Sequence, residues 1–327
     1  MPRVKRKKTH SYTLSSALLG AAALAFLFLV IKNSALSATL TLSALTLCGK
    51  TLIPALFPSA VAARVLAESG ALRPIATPLD KFSRKVFGIG GEALAVALTG
   101  IICGFPTGAV GAGTLFKKGR INRNELLVTA VLSGTPSLSF LVFAVGERGF
   151  KDRNFGFFLF FTSVISSAAV TFAYARLTKK NEDLPSGILN SKKSPHTLME
   201  ADALGAKTLT AAVSSSALDI IRVCAFVIFF SVAAGLAEAS LASLPLPESL
   251  LSAALGCLEI TGGMTRAATL PIGGRIAAAF LAGFGGFCAA AQVGGAVAES
   301  KISVAKYIAL RLAAGSLSAL FAVLFLR

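Results

Sequence analysis

The chain is poor in charge. Across 327 residues it has 32 lysines and arginines against 15 acidic residues, and charged residues make up only 14%. A soluble chain of average composition is about a quarter charged. With 54% apolar residues as well, a water-soluble protein of this length would carry surface it could not hide. A soluble two-domain enzyme, the expectation from length alone, is excluded. Histidine is almost missing: His10 and His196 both lie in polar segments, so a histidine metal site has no raw material. The five cysteines, Cys48, Cys103, Cys224, Cys257 and Cys288, are far apart, form no CxxC pair and read as small buried hydrophobes. No Ser-His-Asp set, HExxH or paired-carboxylate arrangement occurs, so neither an enzyme nor a cofactor is expected.

What is present is apolar sequence in long pieces. Uncharged stretches cover residues 14–31, 33–49, 51–63, 93–116, 126–146, 154–175, 223–237, 276–298 and 312–326. At about 20 residues per spanning helix, the apolar total allows at most eight or nine spans. The fold class is therefore an all-α polytopic membrane protein with about 8–10 apolar segments. Several segments are too short to span alone or carry Gly or Pro at their centres. A broken backbone in lipid must be buried in protein or line a wet cavity, so the breaks are where a site is expected.

The formal charge of +17 does not point to nucleic acid, because the basic residues sit in short segments between apolar stretches, as in loops beside lipid. Arg3, Lys5, Arg6, Lys7 and Lys8 precede the first apolar stretch and place the N-terminus in the cytoplasm. Small residues at Ala35 and Ser37 would suit a cleaved signal peptide, but the apolar stretch before them exceeds the usual length of about 7–15 residues. An uncleaved first helix is expected. The chain then divides into a basic tail (1–13), a first transmembrane helix (14–34), a first membrane repeat (35–177), a polar linker (178–208) and a second repeat (209–327). The linker is rich in charge, Pro, Ser and Gly and cannot bury enough apolar area to fold by itself.

The two halves resemble each other. Residues 98–109 (LTGIICGFPTGA), then 132–139 (LSGTPSLS), then an apolar helix at 155–177 are matched by 255–264 (LGCLEITGGM), 281–289 (LAGFGGFCA) and a helix at 306–326. Each half thus carries two Gly-interrupted segments followed by an unbroken one, which reads either as the faint trace that an inverted repeat leaves in transporter sequences or as chance similarity between two Gly- and Ala-rich stretches.

Gly104, Phe105, Pro106, Thr107 and Gly108 form the first break. It reads either as a close helix crossing with a proline kink or as a re-entrant tip whose freed N–H groups face a substrate. Ser133, Gly134, Thr135, Pro136 and Ser137 form the second break, where hydroxyls serve as local caps or as ligand contacts. In the second half, Glu259 precedes Thr261, Gly262 and Gly263 in an apolar context. A carboxyl there marks a proton, ion or ligand contact, or else a structural ion pair with Arg222, Arg266, Arg275 or Arg311. Gly285 and Gly286 form the last break, and Gln292 is the next polar candidate. Gly49, Lys50 and Thr51 imitate the end of a phosphate-binding loop, but Ala44 stands where its leading glycine belongs, so no nucleotide site is expected.

At these residues the chain resembles the nucleoside-recognition (Gate) domain membrane proteins, in particular their sporulation branch. The resemblance covers about residues 40–325. It rests on PALFPS at 54–59, CGFPTGA at 103–109, Gly119, Arg120 and Ile121 with Glu125, residues 133–146, residues 224–231, LEITGG at 258–263, and GFGG at 283–286 with Gln292. Where such proteins usually carry an Asn pair, this chain has Ser133, Gly134 and Thr135, so only Ser137 and the backbone of that break carry over. The resemblance implies paired broken helices around a central site, as in part of the concentrative nucleoside transporters. It also implies a role late in endospore formation, moving dipicolinic acid from mother cell to forespore across the outer, mother-cell-derived forespore membrane. The expected function is a permease for a small anion, the alternative a non-transporting scaffold or regulator. Expected partners are that anion and membrane lipid but not nucleic acid, and a homo-oligomer is compatible with this reading.

Overall fold

The computed structural model describes residues 14–68, 73–178, 201–245, 247–270, 273–300 and 302–326. The basic tail and most of the expected linker lie outside the described residues. Every regular element among the described residues is helical. In chain order these are α1 (Leu14–Lys32), α2 (Ser34–Leu47), a π-helical turn (Cys48–Leu52), α3 (Ile53–Glu68), α4 (Arg73–Val86), α5 (Gly91–Cys103), α6 (Thr107–Lys117), α7 (Arg123–Leu132) and a π-helical stretch (Phe140–Gly149). There follow α8 (Arg153–Thr178), α9 (Ala201–Leu241), α10 (Glu248–Leu258), α11 (Ile260–Thr269), α12 (Gly274–Phe284), α13 (Gly286–Ala296) and α14 (Val304–Phe325). Helix α9 begins inside the segment read as linker; its opening ADALGAK is rich in good helix formers, which outweigh the charge.

Among the described residues, five stretches are long and apolar enough to cross a membrane: Ser34–Leu52, Arg153–Thr178, Thr208–Leu241, Gly274–Ala296 and Val304–Phe325. The protein is thus a polytopic, all-helical membrane protein. Several other apolar segments are half-length helices, because Gly, Pro or Glu interrupts them.

Helix α8 defines the two ends of the bundle. Its 26 residues rise about 39 Å, more than the roughly 30 Å of a bilayer core. It buries hydroxyls by bonding each to the preceding turn: Thr162 to the Phe158 carbonyl, Ser167 to Ser163 and Thr171 to Ser167. At its start the Phe155 amide donates to Asp152 Oδ1 (3.0 Å) and Arg275 donates to Oδ2 (2.9 Å). That amide first, and then Arg275, hold the Asp152 carboxyl below the usual carboxylate range. At its other end Tyr174 donates to Asn124 (3.1 Å), beside the basic turn that joins α6 to α7. These ends are called the Asp152 end and the Asn124 end below.

Every later element can be placed between them. Helices α5 and α6 both terminate at the Asn124 end, where the Gly90 amide donates to Glu125 and Arg120 pairs with Glu92. They form a hairpin that enters and returns. Helix α7 starts at the same end under a capping box of Asn122 and Glu125, and the chain continues through the π-helical stretch to the Asp152 end. In the second half α11 finishes at the Asp152 end, with Arg266 paired to Glu238 of α9 and the Ala267 carbonyl against Gly274. Helices α12 and α13 cross from there to the Asn124 end, where Ala296 meets Gly113. Helix α14 returns antiparallel to α8, so that Arg311 meets Ser167 and Ser318 meets Thr162.

Candidate functional site

The first hairpin turns at Gly104, whose φ of +83° is a conformation that a side chain would strain. The turn contains the cis Phe105–Pro106 peptide bond. Its backbone donors are used internally: the Gly104 amide donates to the Gly100 carbonyl (2.7 Å) and the Phe105 amide to the Thr135 carbonyl (3.1 Å). The tip therefore rests on the break after α7. Contact there is close enough to demand glycine, since a Cβ on Gly108 would lie 2.1 Å from Ser133 Oγ and 2.3 Å from Ser133 Cβ.

In that break, Ser133 bonds back to the Thr129 carbonyl (2.7 Å), and Ser137 Oγ accepts from the Phe140 amide (3.2 Å). Both hydroxyls act as local caps. Thr135 differs, being fully buried with no hydrogen-bond partner for its hydroxyl.

The second hairpin, α10 with α11, turns at Glu259. Its backbone is extended (φ −138°, ψ 117°), and its side chain caps α11: Oε1 accepts from the Thr261 amide (2.8 Å) and Oε2 from the Gly262 amide (2.7 Å). Glu259 is only 4% exposed. In place of the expected ion-pair alternative the structure shows this helix cap, and the same side chain lines the cavity described below. Arg222 pairs with Asp219, Arg266 with Glu238 and Arg275 with Asp152, while the partial positive charge of a helix N-terminus balances the carboxylate. The tip packs on the break between α12 and α13, where Gly285 and Gly286 have φ of +87° and +85° and a Cβ on Gly286 would come 3.1 Å from the Cys257 carbonyl.

The two tip-and-break pairs meet. A Cβ on Gly285 would lie 3.6 Å from the Gly134 carbonyl oxygen and 3.8 Å from the Phe105 ring. Arg311 of α14, wholly buried, ties them together. Its Nε donates to the Phe284 carbonyl (3.2 Å), and its Nη1 donates to the Val131 carbonyl (3.2 Å) and to Ser167 Oγ (2.6 Å). Those carbonyls end α12 and α7, so one cation serves the negative ends of two half-helices, one from each half of the chain.

Against this junction lies a cavity of about 420 Å³. Of the expected residues, Phe105, Pro136, Ser137, Glu259, Thr261 and Gln292 line it. Gly104, Gly108, Ser133, Gly263, Gly285 and Gly286 instead make the close packing behind it. Pro106 and Thr107 face neighbouring cavities, and Gly262 contributes its amide to the Glu259 cap.

Sequence reasoning missed Lys50 and Arg148, which line the same cavity and are both exposed. Lys50 is the only charge between residues 33 and 63, a signal set aside with the phosphate-loop imitation. Arg148 stands in a charged turn and carries no comparable sign. Arg311 is the only charge between residues 307 and 326, and that isolation marks a functional or structural role.

No family model matches the chain, and no solved structure matches it. It is similar to the sporulation integral membrane protein YlbJ of Bacillus subtilis (strain 168), with 27% identity over 333 residues that span 91% of this chain and 80% of the relative. Over most of its length, then, the chain resembles an integral membrane protein of sporulation, in agreement with the apolar helices of the fold.

Proposed function

We propose that the protein is a permease for a small anionic solute, of which dipicolinate is the leading candidate, acting in a membrane of the developing spore. The observation that carries this reading is the convergence of four helix interruptions, two from each half, on one cavity. The halves support it through their sense: the first sends its hairpin in from the Asn124 end, the second from the Asp152 end, and each continues with a broken and then an unbroken crossing. Opposed repeats around a central site are how many secondary transporters offer one site to two sides. The sign of the solute follows from the lining. Glu259 already has both oxygens bonded to its own helix, whereas Lys50 and Arg148 are cations without an ion-pair partner among the described residues.

The test is uptake of labelled dipicolinate by purified protein in liposomes. Time-dependent accumulation is expected, with Lys50→Ala and Arg148→Ala each raising KM about tenfold, or about 1.4 kcal/mol, at unchanged protein level. Folded protein that accumulates none of it would overturn the reading and favour a non-transporting scaffold.

A further inference from the structure

A second cavity, of about 630 Å³, lies toward the Asn124 end, where Lys117 and Glu299 on its lining pair at 2.9 Å. The first lies toward the Asp152 end, since Arg148 precedes Asp152 by one turn of chain. The two are back to back. Gln292 and Val223 line both, and of two consecutive residues Phe105 lines the first and Pro106 the second. A small void of about 50 Å³ borders Phe105, Pro106 and Val223 as well, and reaches Arg64 and Asp219 of the second cavity. The partition between the two cavities is therefore one layer of side chains thick.

Gln292 is the polar member of that partition. It is 5% exposed, its Nε2 donates to Cys288 Sγ (3.3 Å), and its Oε1 has no partner. A buried amide oxygen without a donor costs about 1–3 kcal/mol, so its place beside two cavities calls for a reason. A thiol both donates and accepts weakly. Rotating the amide by half a turn lets Cys288 S–H donate to Oε1 and leaves Nε2 as the group without a protein partner. The side chain can thus offer a donor or an acceptor at little cost.

We propose that Gln292, with Val223, Phe105 and Pro106, is the septum of a single route joining two vestibules, and that its amide is the hydrogen-bonding group handed to a carboxylate as it passes. This rests on the permease reading for the identity of the solute, though the route itself does not. Lys50 and Arg148 attract the anion at one mouth. Arg64, Lys117 and Arg222, set against Asp219 and Glu299, leave a positive excess at the other mouth as well.

The test uses full-length protein in right-side-out and inside-out membrane vesicles, with an impermeant maleimide and intact mass counting label beyond that of the native cysteines. Ser139→Cys is expected to react from one face only, Ser215→Cys from the opposite face only, and Gln292→Cys from both. Reaction of Ser139→Cys and Ser215→Cys from the same face, or of Gln292→Cys from one face or neither, overturns the septum. In liposomes, Gln292→Glu should lower dipicolinate uptake at least tenfold while labelling at Ser139→Cys and Ser215→Cys is unchanged. Unchanged uptake would remove the amide from the path. Failure of the unmodified protein to move dipicolinate, with the labelling pattern intact, would instead overturn the choice of solute and leave the route standing.

Discussion

The two hairpin tips solve one problem by opposite means. Each must reverse a helix inside the bundle, where an unmet buried amide is costly. The first tip is neutral: it turns on a positive-φ glycine, bonds its amides to carbonyls of its own half and presses Gly108 onto Ser133. The second is charged, and the carboxylate of Glu259 caps the helix that follows. The lesson is that a buried carboxylate in a membrane protein can serve its own backbone as a helix cap. Lys50 and Arg148 line the cavity beside it.

This contrast can be broken most forcefully at Gly108. Gly108→Leu has no room against Ser133, and overpacking of this kind costs about 1–3 kcal/mol or more. Loss of most monodisperse protein on detergent extraction is expected, whereas Gly20→Leu, with nothing within 4 Å of its Cβ, should extract normally. Equal yields would mean that the first tip is not held by close packing.

A smaller effect separates the caps. Glu259→Ala should lower thermal stability by about 2 kcal/mol, the range for a lost helix cap, with Glu259→Gln in between because one amide oxygen still accepts. At the neutral tip, Ser133→Ala should cost less than about 1 kcal/mol, since its hydroxyl only bonds back to the preceding turn. If the two alanine variants melt alike, the distinction between a charged and a neutral tip fails.

The last comparison lies outside both tips, at the cap of α8. The folded Asp152 carboxyl titrates below its unfolded value, so its contribution is present above about pH 4, the ordinary value for an aspartate, and is lost as pH falls through the lower folded value. Asp152→Ala should be about 1 kcal/mol less stable at pH 7, with the gap closing in acid. A gap independent of pH would show that the carboxylate charge is not what anchors the helix.

The places where helices break were legible in the sequence, because glycine and proline punctuate the backbone locally: Gly104 and Pro106, Gly134 and Pro136, and Gly285 all fall at real interruptions. That each half's tip would rest on its own break was less so, since this depends on gaps as narrow as Gly108 against Ser133. The chemistry of the cavity was least legible. Lys50 and Arg148 reach it from π-helical segments that no residue pattern announces, and the cap that Glu259 makes is invisible in sequence because its partners are backbone amides.

Arg311 bears on how such a protein is assembled. The Val131 and Phe284 carbonyls are made before the guanidinium that donates to them, which arrives only with α14. Until α14 is in place, both half-helices end without that donor and the two halves lack their shared tie. A nascent chain stopped short of residue 311 would therefore hold all four interruptions and still lack the cation that joins them.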